Sequence, residues 1–236
     1  MKALILMSRI PIPGKTKTRL MNVLSGEECA RLHKCFLKDL FSLFDVIKED
    51  VHLFLSYTPD GALHLLKDMM PDYIEAFPQE GEDLGERMAN AIDFVLSKGY
   101  EKVVLIGSDI PAIGPSDIYE AFSLLDNHDI CLGPTHDGGY YLIGMKRMYR
   151  DIFTRDLKWG KKSVFESTMF IANDLGLSVG LAPKHMDIDT AEDVSALMDK
   201  VKRGELSNWI PKNTVDYLKE IWGEEENANR QLKNSN

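Results

Sequence analysis

The stretch KALILMSRIPIPGKTKTRL, from Lys2 to Leu20, decides the fold of this 236-residue chain. Its first part, Lys2–Ser8, is an almost unbroken apolar run rich in Leu and Ile, which is typical of a buried strand in a parallel sheet. A loop with two prolines and Gly14 follows, and it carries most of the cations at this end of the chain. The sequence therefore predicts a buried first strand that leads into a basic loop.

Strand and helix patterns alternate along the rest of the chain. Further strands are predicted near residues 51–57, 74–77, 103–106, 130–133, 140–144 and 179. Helices are predicted near residues 25–44, 62–70, 83–97, 116–125, 163–173 and 190–203. This alternation predicts an α/β fold with a mostly parallel central sheet and helices on both faces. The neighbouring strands near residues 130 and 140 predict one small antiparallel insertion.

Length and composition indicate one globular domain over residues 1–223, with a polar and disordered tail at residues 224–236. Hydrophobic residues make up 44% of the chain and charged residues 28%, an ordinary globular balance. The longest apolar run is too short for a membrane span or a signal peptide. The three cysteines are odd in number and lack metal spacing, which predicts reduced thiols and a cytoplasmic location.

Charge is unevenly distributed along the chain. The formal net charge is −9, so the surface as a whole should repel nucleic acid. The first twenty residues contain no acidic residue but five basic ones, namely Lys2, Arg9, Lys15, Lys17 and Arg19. An acidic protein with one basic loop predicts a small anionic ligand rather than a polyanion.

The basic loop is the first candidate site, because a strand, a Gly-containing loop and a helix start favour phosphate binding. Arg19 could bind phosphate bidentately, while Lys15 and Lys17 would act as movable point charges. Gly14-Lys15-Thr16 resembles the end of a P-loop, but the first glycine of that motif would fall at Arg9, so we reject that interpretation. A solvated basic loop without a ligand is the alternative.

Carboxylates form the second and third candidate sites, both suited to Mg²⁺ or Mn²⁺. Asp109 directly follows the strand at 103–106, where ligands bind in open α/β sheets; it could instead simply form a turn. Asp187 and Asp189 lie two residues apart in an extended segment and could complete a metal site. A helix cap formed by Thr190 with residue 193 explains part of this segment without any function.

Weaker signals come from a glycine-rich turn and one arginine. Asp137-Gly138-Gly139 would let a ligand approach bare backbone, but an ordinary hairpin turn explains the glycines as well. Arg87 could reach a ligand or remain an exposed helix residue. The six histidines show no ligand spacing, and His136 is the one placed beside a candidate residue.

Five motifs in order resemble one known group. They are PIPGKTKTRL (11–20), EDLGERM (82–88), GSDIP (107–111), GPTHDGGYYLIG (133–144) and DIDTAED (187–193). Over about residues 1–200 the chain resembles the bacterial DUF2064 family of predicted glycosyltransferases. That family lies in the nucleotide-diphospho-sugar transferase superfamily, near the phospholactate and molybdenum-cofactor guanylyltransferases.

The resemblance implies a GT-A-like fold that binds a nucleotide or nucleotide-sugar donor through a divalent metal, together with a small-molecule acceptor. Asp109 would hold the metal with help from Asp187 and Asp189, and residues 137–140 would line the acceptor side. The candidate catalytic residues are Lys15, Lys17, Arg19 and Asp109. The candidate nucleotide-binding residues are Arg9, Gly14, Lys15, Lys17, Arg19, Arg87 and Ser108, and the acceptor-side candidates are Asp137, Gly138, Gly139 and Tyr140.

The sequence leaves three functions open. The family resemblance indicates glycosyl transfer, whereas the cation-rich loop favours nucleotidyl transfer, which must neutralise a triphosphate and a departing pyrophosphate. A nucleotide-binding protein without catalysis is the third hypothesis. It is favoured by residues 159–162, WGKK here, where the family usually carries a Trp-Ser-Thr element.

Overall fold

A computed structural model describes residues 1–155, 163–206 and 209–233, and for residues 223–233 the backbone alone. The strands are β1 (Lys2–Arg9), β2 (His52–Thr58), β3 (Glu75–Pro78), β4 (Lys102–Gly107), β5 (Ile130–Pro134), β6 (Tyr140–Met145) and β7 (Val179–Leu181). The helices are α1 (Gly26–Ile47), α2 (Leu84–Ser97), α3 (Pro115–Asn127), α4 (Asp151–Thr154), α5 (Val164–Asp174), α6 (Ala191–Arg203) and α7 (Lys212–Lys233).

All seven strands form one sheet in the order β3-β2-β1-β4-β6-β5-β7. Strand β6 runs antiparallel to both of its neighbours, β4 and β5, while the other pairs are parallel. The predicted mostly parallel sheet with a small antiparallel insertion is therefore confirmed. The inserted strand β6 separates β4 from β5 in space.

The alternation of side chains along β1 shows how the sheet is covered on both faces. Leu4 and Leu6 pack into a core with helices α1 and α3. Ala3 and Ile5 point to the other face and pack with α2, α4 and α5. Because successive strand residues face opposite sides, the apolar run of β1 requires both layers, and the prediction of helices on both faces is confirmed.

The predicted helix at residues 62–70 is wrong. The segment contains a single 3₁₀ turn, Leu63–Leu66, followed by tight turns in which Met69 N donates to Leu66 O at 2.9 Å. Leu66 is fully buried and anchors this connection. An isolated helix this short is marginal, and 3₁₀ turns are frequent in such connectors.

Helix α7 is an element that the sequence analysis did not predict. It packs against α1, with Tyr217 and Leu218 buried in a third apolar cluster that also contains residues of α1 and α6. Buried Asp39 of α1 holds the start of α7, because its carboxylate accepts hydrogen bonds from the backbone N–H groups of Asn213 and Thr214, both at 2.8 Å.

The division of the chain into a domain of residues 1–223 and a tail of residues 224–236 stays a prediction. Within the described residues, no helix combines the length and apolar character needed to cross a bilayer.

Candidate functional site

The candidate site lies at the carboxyl ends of β1 and β4, the two central strands. Chain connections leave these neighbouring strands toward opposite sides of the sheet, since β2 follows β1 on one side and β6 lies beyond β4 on the other. Such a switch point is where open α/β sheets bind ligands. The segment after β7 reaches the same edge, because Ile188 N donates to Asp109 O at 2.9 Å.

The loop after β1 is held close to the body of the protein. Gly14 adopts φ +71°, and its backbone nitrogen would lie 2.9 Å from a Cβ at Gly26, so any larger residue at position 26 would push the loop outward. A 3₁₀ turn, Thr18–Asn22, follows the loop. The helix start expected directly after the loop therefore comes only at α1, where Ser25 and Glu28 form a capping box that occupies the backbone N–H groups of these two residues.

Lys17 is the buried centre of this loop, with its side chain 3% exposed. Its ammonium group contacts the Asp109 carboxylate, lies 3.1 Å from Asp189 Oδ1 and donates to Ile188 O at 2.7 Å. The Phe36 ring lies 4.9 Å from the same nitrogen. In this structure Lys17 is not the movable point charge expected from the sequence, because burial and two carboxylates hold the ammonium in place.

The pKa values at this ion pair reflect mutual stabilisation. Burial by itself would lower the pKa of Lys17, but the charges and hydrogen bonds of Asp109 and Asp189 raise it above its ordinary value. Burial likewise would raise the pKa of Asp109, and the nearby Lys17 charge outweighs this and lowers it. Both groups are therefore charged at neutral pH.

The other three cations of the loop lie at the surface around Lys17. Arg9, the last residue of β1, is exposed, and its guanidinium lies 3.5 Å from Lys15 O. Lys15 is exposed as well. Arg19 is 66% exposed and lies 3.2 Å from Asp189 Oδ2. This arrangement leaves cationic groups available to an anionic ligand at the edge where Lys17 is buried.

The acidic side of the site is formed by Asp187 and Asp137. Burial raises the pKa of Asp187 to about 6, with further contributions from Asp137, Asp189 and Asp193. The Asp137 carboxylate accepts hydrogen bonds from the Thr135 hydroxyl and from Gly139 N. Negative charge is therefore concentrated on this side, in contrast to the matched charges around Lys17.

The three predicted metal ligands are not assembled into a metal cage. Asp109 and Asp189 share the Lys17 ammonium, whereas the pKa of Asp187 is raised by burial and by the charges of neighbouring carboxylates. Across the described parts of the chain, no group of three or more His, Cys, Asp and Glu side chains has the geometry to hold a metal ion. Their metal role stays a prediction.

The predicted acceptor-side residues form the turn between β5 and β6. Gly139 O accepts from Thr135 N at 3.0 Å, and Gly138, at φ +92°, accepts from Phe165 N at 3.0 Å. The hairpin interpretation of the glycines is thus confirmed. Tyr140 begins β6, and burial raises the pKa of its phenol.

Arg87 and Ser108 both make internal contacts. Arg87 Nε donates to Gly81 O at 2.9 Å and thereby holds the loop before α2. Arg87 is therefore not a free surface residue, and this hydrogen bond does not connect it to Lys17. Ser108 is 5% exposed, and its hydroxyl lies 3.2 Å from His33 Nε2. The predicted roles of both residues in nucleotide binding stay predictions.

His33 was missed by sequence reasoning, because it lies within the apolar pattern of α1. It is 2% exposed, with Nδ1 at the Thr16 hydroxyl and Nε2 at 3.3 Å from Ser8 Oγ. Burial, followed by the charge of Lys17, lowers the pKa of His33 to about 4. The imidazole is therefore neutral at physiological pH. The signal that could have revealed it is a lone histidine among buried helix positions.

Comparison with known proteins places this chain among transferases. A crystal structure from Desulfovibrio desulfuricans G20, described as a "putative nucleotide-diphospho-sugar transferase", is 31% identical, with a TM-score of 0.83 over 93% of this chain and 95% of that one. The 2-phospho-L-lactate guanylyltransferase of Methanothermobacter thermautotrophicus is 28% identical over 202 residues, 80% of this chain and 82% of the relative.

A more distant structure shares the fold. The 4-diphosphocytidyl-2C-methyl-D-erythritol synthase of Anaerococcus prevotii DSM 20548 is 12% identical, with a TM-score of 0.58 over 86% of this chain and 97% of that one.

The chain is thus a transferase with a GT-A-like fold, of the group that contains nucleotidyl- and glycosyltransferases. It belongs to the DUF2064 family, described as "uncharacterized protein conserved in bacteria", whose model matches residues 45–161.

Proposed function

We propose that the protein is a nucleotidyltransferase, which transfers a nucleoside monophosphate group from a nucleoside triphosphate to a small acceptor and releases pyrophosphate. The observation that carries the proposal is the basic segment from Arg9 to Arg19 at the switch point of the sheet, in which three exposed cations accompany one buried lysine. Transfer from a triphosphate builds negative charge on the departing pyrophosphate, and cationic side chains placed at that point stabilise such charge. The guanylyltransferase relative supports the same reaction class.

The carboxylates fit a divalent ion that binds together with the nucleotide. Mg²⁺ usually takes one or two protein carboxylates and completes its shell with water and substrate phosphates, rather than occupying an all-protein cage. Asp109, Asp187 and Asp189 offer the required oxygen atoms, and Asp187 lies where negative charge is in excess. When bound, Mg²⁺ or Mn²⁺ would neutralise phosphate charge and polarise the reacting phosphate.

Lys17 would change partners when the nucleotide binds. In the structure its ammonium group neutralises Asp109 and Asp189, which is the task that a divalent ion would take over. Released from these carboxylates, Lys17 would lie beside Arg9, Lys15 and Arg19 and could contact phosphate oxygens. Metal and nucleotide should therefore bind with positive coupling, each favouring the arrangement that the other needs.

Glycosyl transfer is the second candidate, favoured by the name of the Desulfovibrio relative. Such an enzyme releases a nucleoside diphosphate, so a metal alone can neutralise most of the developing charge. The nonenzymatic alternative rested on residues 159–162, which lie outside the described residues.

A thermal-shift panel of the four nucleoside triphosphates and of UDP- and GDP-sugars, each with and without Mn²⁺, tests the proposal. A specific ligand at about a hundred times its dissociation constant adds about 2.7 kcal/mol of stability. We expect Mn²⁺-dependent stabilisation by a triphosphate. A larger shift with a nucleotide sugar would instead support glycosyl transfer.

Turnover is then measured as pyrophosphate release with 2-phospho-L-lactate as the first acceptor, because a relative is named for that substrate. Triphosphate binding without pyrophosphate release across a panel of phosphorylated hydroxy acids would favour a nucleotide-binding protein without catalysis.

A further inference from the structure

Three hydroxyl residues of the site precede charged residues directly in the sequence. Ser8 precedes Arg9, Thr16 precedes Lys17, and Ser108 precedes Asp109. All three hydroxyl residues are buried, with exposures of 3%, 2% and 5%. They come from different segments, namely the end of β1, the basic loop and the turn after β4, and one imidazole contacts all of them.

The hydrogen bonds define the state of that imidazole, which belongs to His33. Ser8 Oγ donates its proton to Arg9 O at 2.8 Å, so toward Nε2, at 3.3 Å, it can act only as an acceptor. Nε2 therefore carries the ring proton and lies 3.2 Å from Ser108 Oγ as well. Nδ1 is then the acceptor, and the Thr16 hydroxyl donates to it.

We infer that His33 is the positioning residue of this site, which holds the residues preceding Arg9, Lys17 and Asp109 in one fixed arrangement. The role in catalysis rests on the proposed function, whereas the linkage itself is a property of the fold. Helix α1 is well suited to carry the positioning residue, because Phe36, one turn after His33, packs its ring against the Lys17 ammonium. A neutral ring can join these segments without adding a charge beside the Lys17–Asp109 ion pair.

Removal of the ring should loosen two segments that are far apart in sequence. In His33→Leu, we expect faster amide hydrogen exchange in both residues 12–19 and residues 108–112, because the shared anchor is lost. Affinity for Mn²⁺ with GTP should fall about 10- to 100-fold, the usual effect of losing a residue that orients a binding group. His33→Gln keeps one donor and one acceptor and should restore most of the affinity.

Phe122→Leu is the matched control, since Phe122 of α3 is 1% exposed and lies beside Lys2 and Lys102, at the ends of β1 and β4 opposite to these loops. It should lower the melting temperature without raising exchange selectively in the two segments. Should His33→Leu fail to fold, Thr16→Val and Ser108→Ala each remove one hydroxyl, and each should loosen its own segment.

The inference is overturned if the His33 and hydroxyl variants exchange in the two segments as slowly as Phe122→Leu, or if His33→Gln is as impaired as His33→Leu. The proposed function fails separately, when the wild-type protein binds no nucleoside triphosphate. Hydrogen exchange without ligand still tests the linkage in that case.

Discussion

The two sides of the candidate site differ in how their carboxylates are neutralised. Around Lys17, Asp109 and Asp189 share one buried ammonium group, and the pKa of Asp109 is lowered. On the other side, burial, followed by the negative charge of Asp137, raises the pKa of Asp187 to about 6. Residues 187 and 189 are two positions apart, so the difference arises from their surroundings and not from the segment they share.

This contrast indicates which side each part of a metal–nucleotide complex would occupy. The Lys17 side already has a cation and borders the exposed cations of the basic loop, so it suits phosphate. The Asp187 side lacks a matching cation among its described contacts, so it suits a divalent ion. We expect variants that each remove one element of this contrast to have effects that decrease in size from Asp109 to Arg19.

Asp109→Asn should have the largest effect. It removes a charge that both Lys17 and a bound metal would use, and loss of such fixed electrostatic stabilisation costs about 100- to 1000-fold in turnover. Pyrophosphate release at saturating Mn²⁺ and nucleotide measures it. Asp126→Asn, which removes a surface carboxylate paired with Lys102, should leave turnover unchanged. Retention of more than a tenth of wild-type turnover by Asp109→Asn would remove Asp109 from the mechanism.

Lys17→Met should change metal and nucleotide affinity in opposite directions. Without the ammonium group, Asp109 and Asp189 lose the buried cation that they share, so the metal alone should bind about tenfold more tightly, equivalent to about 1.4 kcal/mol. Triphosphate affinity should fall, because a phosphate contact is lost. Titration calorimetry of each ligand alone and of both together measures the coupling.

Lys15→Met is the control for this experiment. Lys15 is exposed, so the substitution removes a loop cation without changing the charge next to Asp109 and Asp189. It should weaken triphosphate binding and leave the affinity for Mn²⁺ unchanged. If Lys17→Met also leaves Mn²⁺ affinity unchanged, Lys17 does not compete with the metal.

Asp187→Asn should alter how stability depends on pH. A carboxyl whose folded pKa is about 6 and whose unfolded pKa is about 4 binds more protons in the folded state between these values. The free energy of unfolding of the wild type should therefore fall, relative to the variant, as the pH rises through this window. The relative change should be about 2 kcal/mol between pH 4 and 7.5.

Urea unfolding at both pH values, with a chelator present, measures this difference. Asp60→Asn, at an exposed turn, is the control and should follow the wild type. Parallel pH profiles of wild type and Asp187→Asn would show that its surroundings do not raise the pKa of Asp187.

Arg19→Ala should have the smallest effect on stability. Arg19 is 66% exposed, and exposed ion pairs contribute less than about 1 kcal/mol. The affinity of the Arg19→Ala variant for triphosphate should still fall several-fold if the exposed cations bind phosphate. Arg203→Ala breaks the comparable surface pair with Glu205 and should alter stability to a similar extent without affecting nucleotide binding. Equal nucleotide affinity in the two variants would argue against a role of Arg19 in binding.

The sequence by itself determined the features that depend on neighbours along the chain. The buried strand β1, the hairpin glycines 138–139 and the capping boxes at Ser25 and Thr190 all follow from local periodicity and hydrogen bonding. The basic loop and the strand-end aspartates were found in the same way, since side chains after consecutive parallel strands must collect at one edge of the sheet.

Only the tertiary structure decided how those residues are used. The sequence predicts a mobile cation at Lys17, yet the side chain is buried and donates to Ile188 O, 171 positions away. His33 reads as a core residue, yet it contacts Ser108, 75 positions away. Periodicity carries no information about such distant partners, and the charge, burial and protonation of a group depend on which partners the fold brings to it.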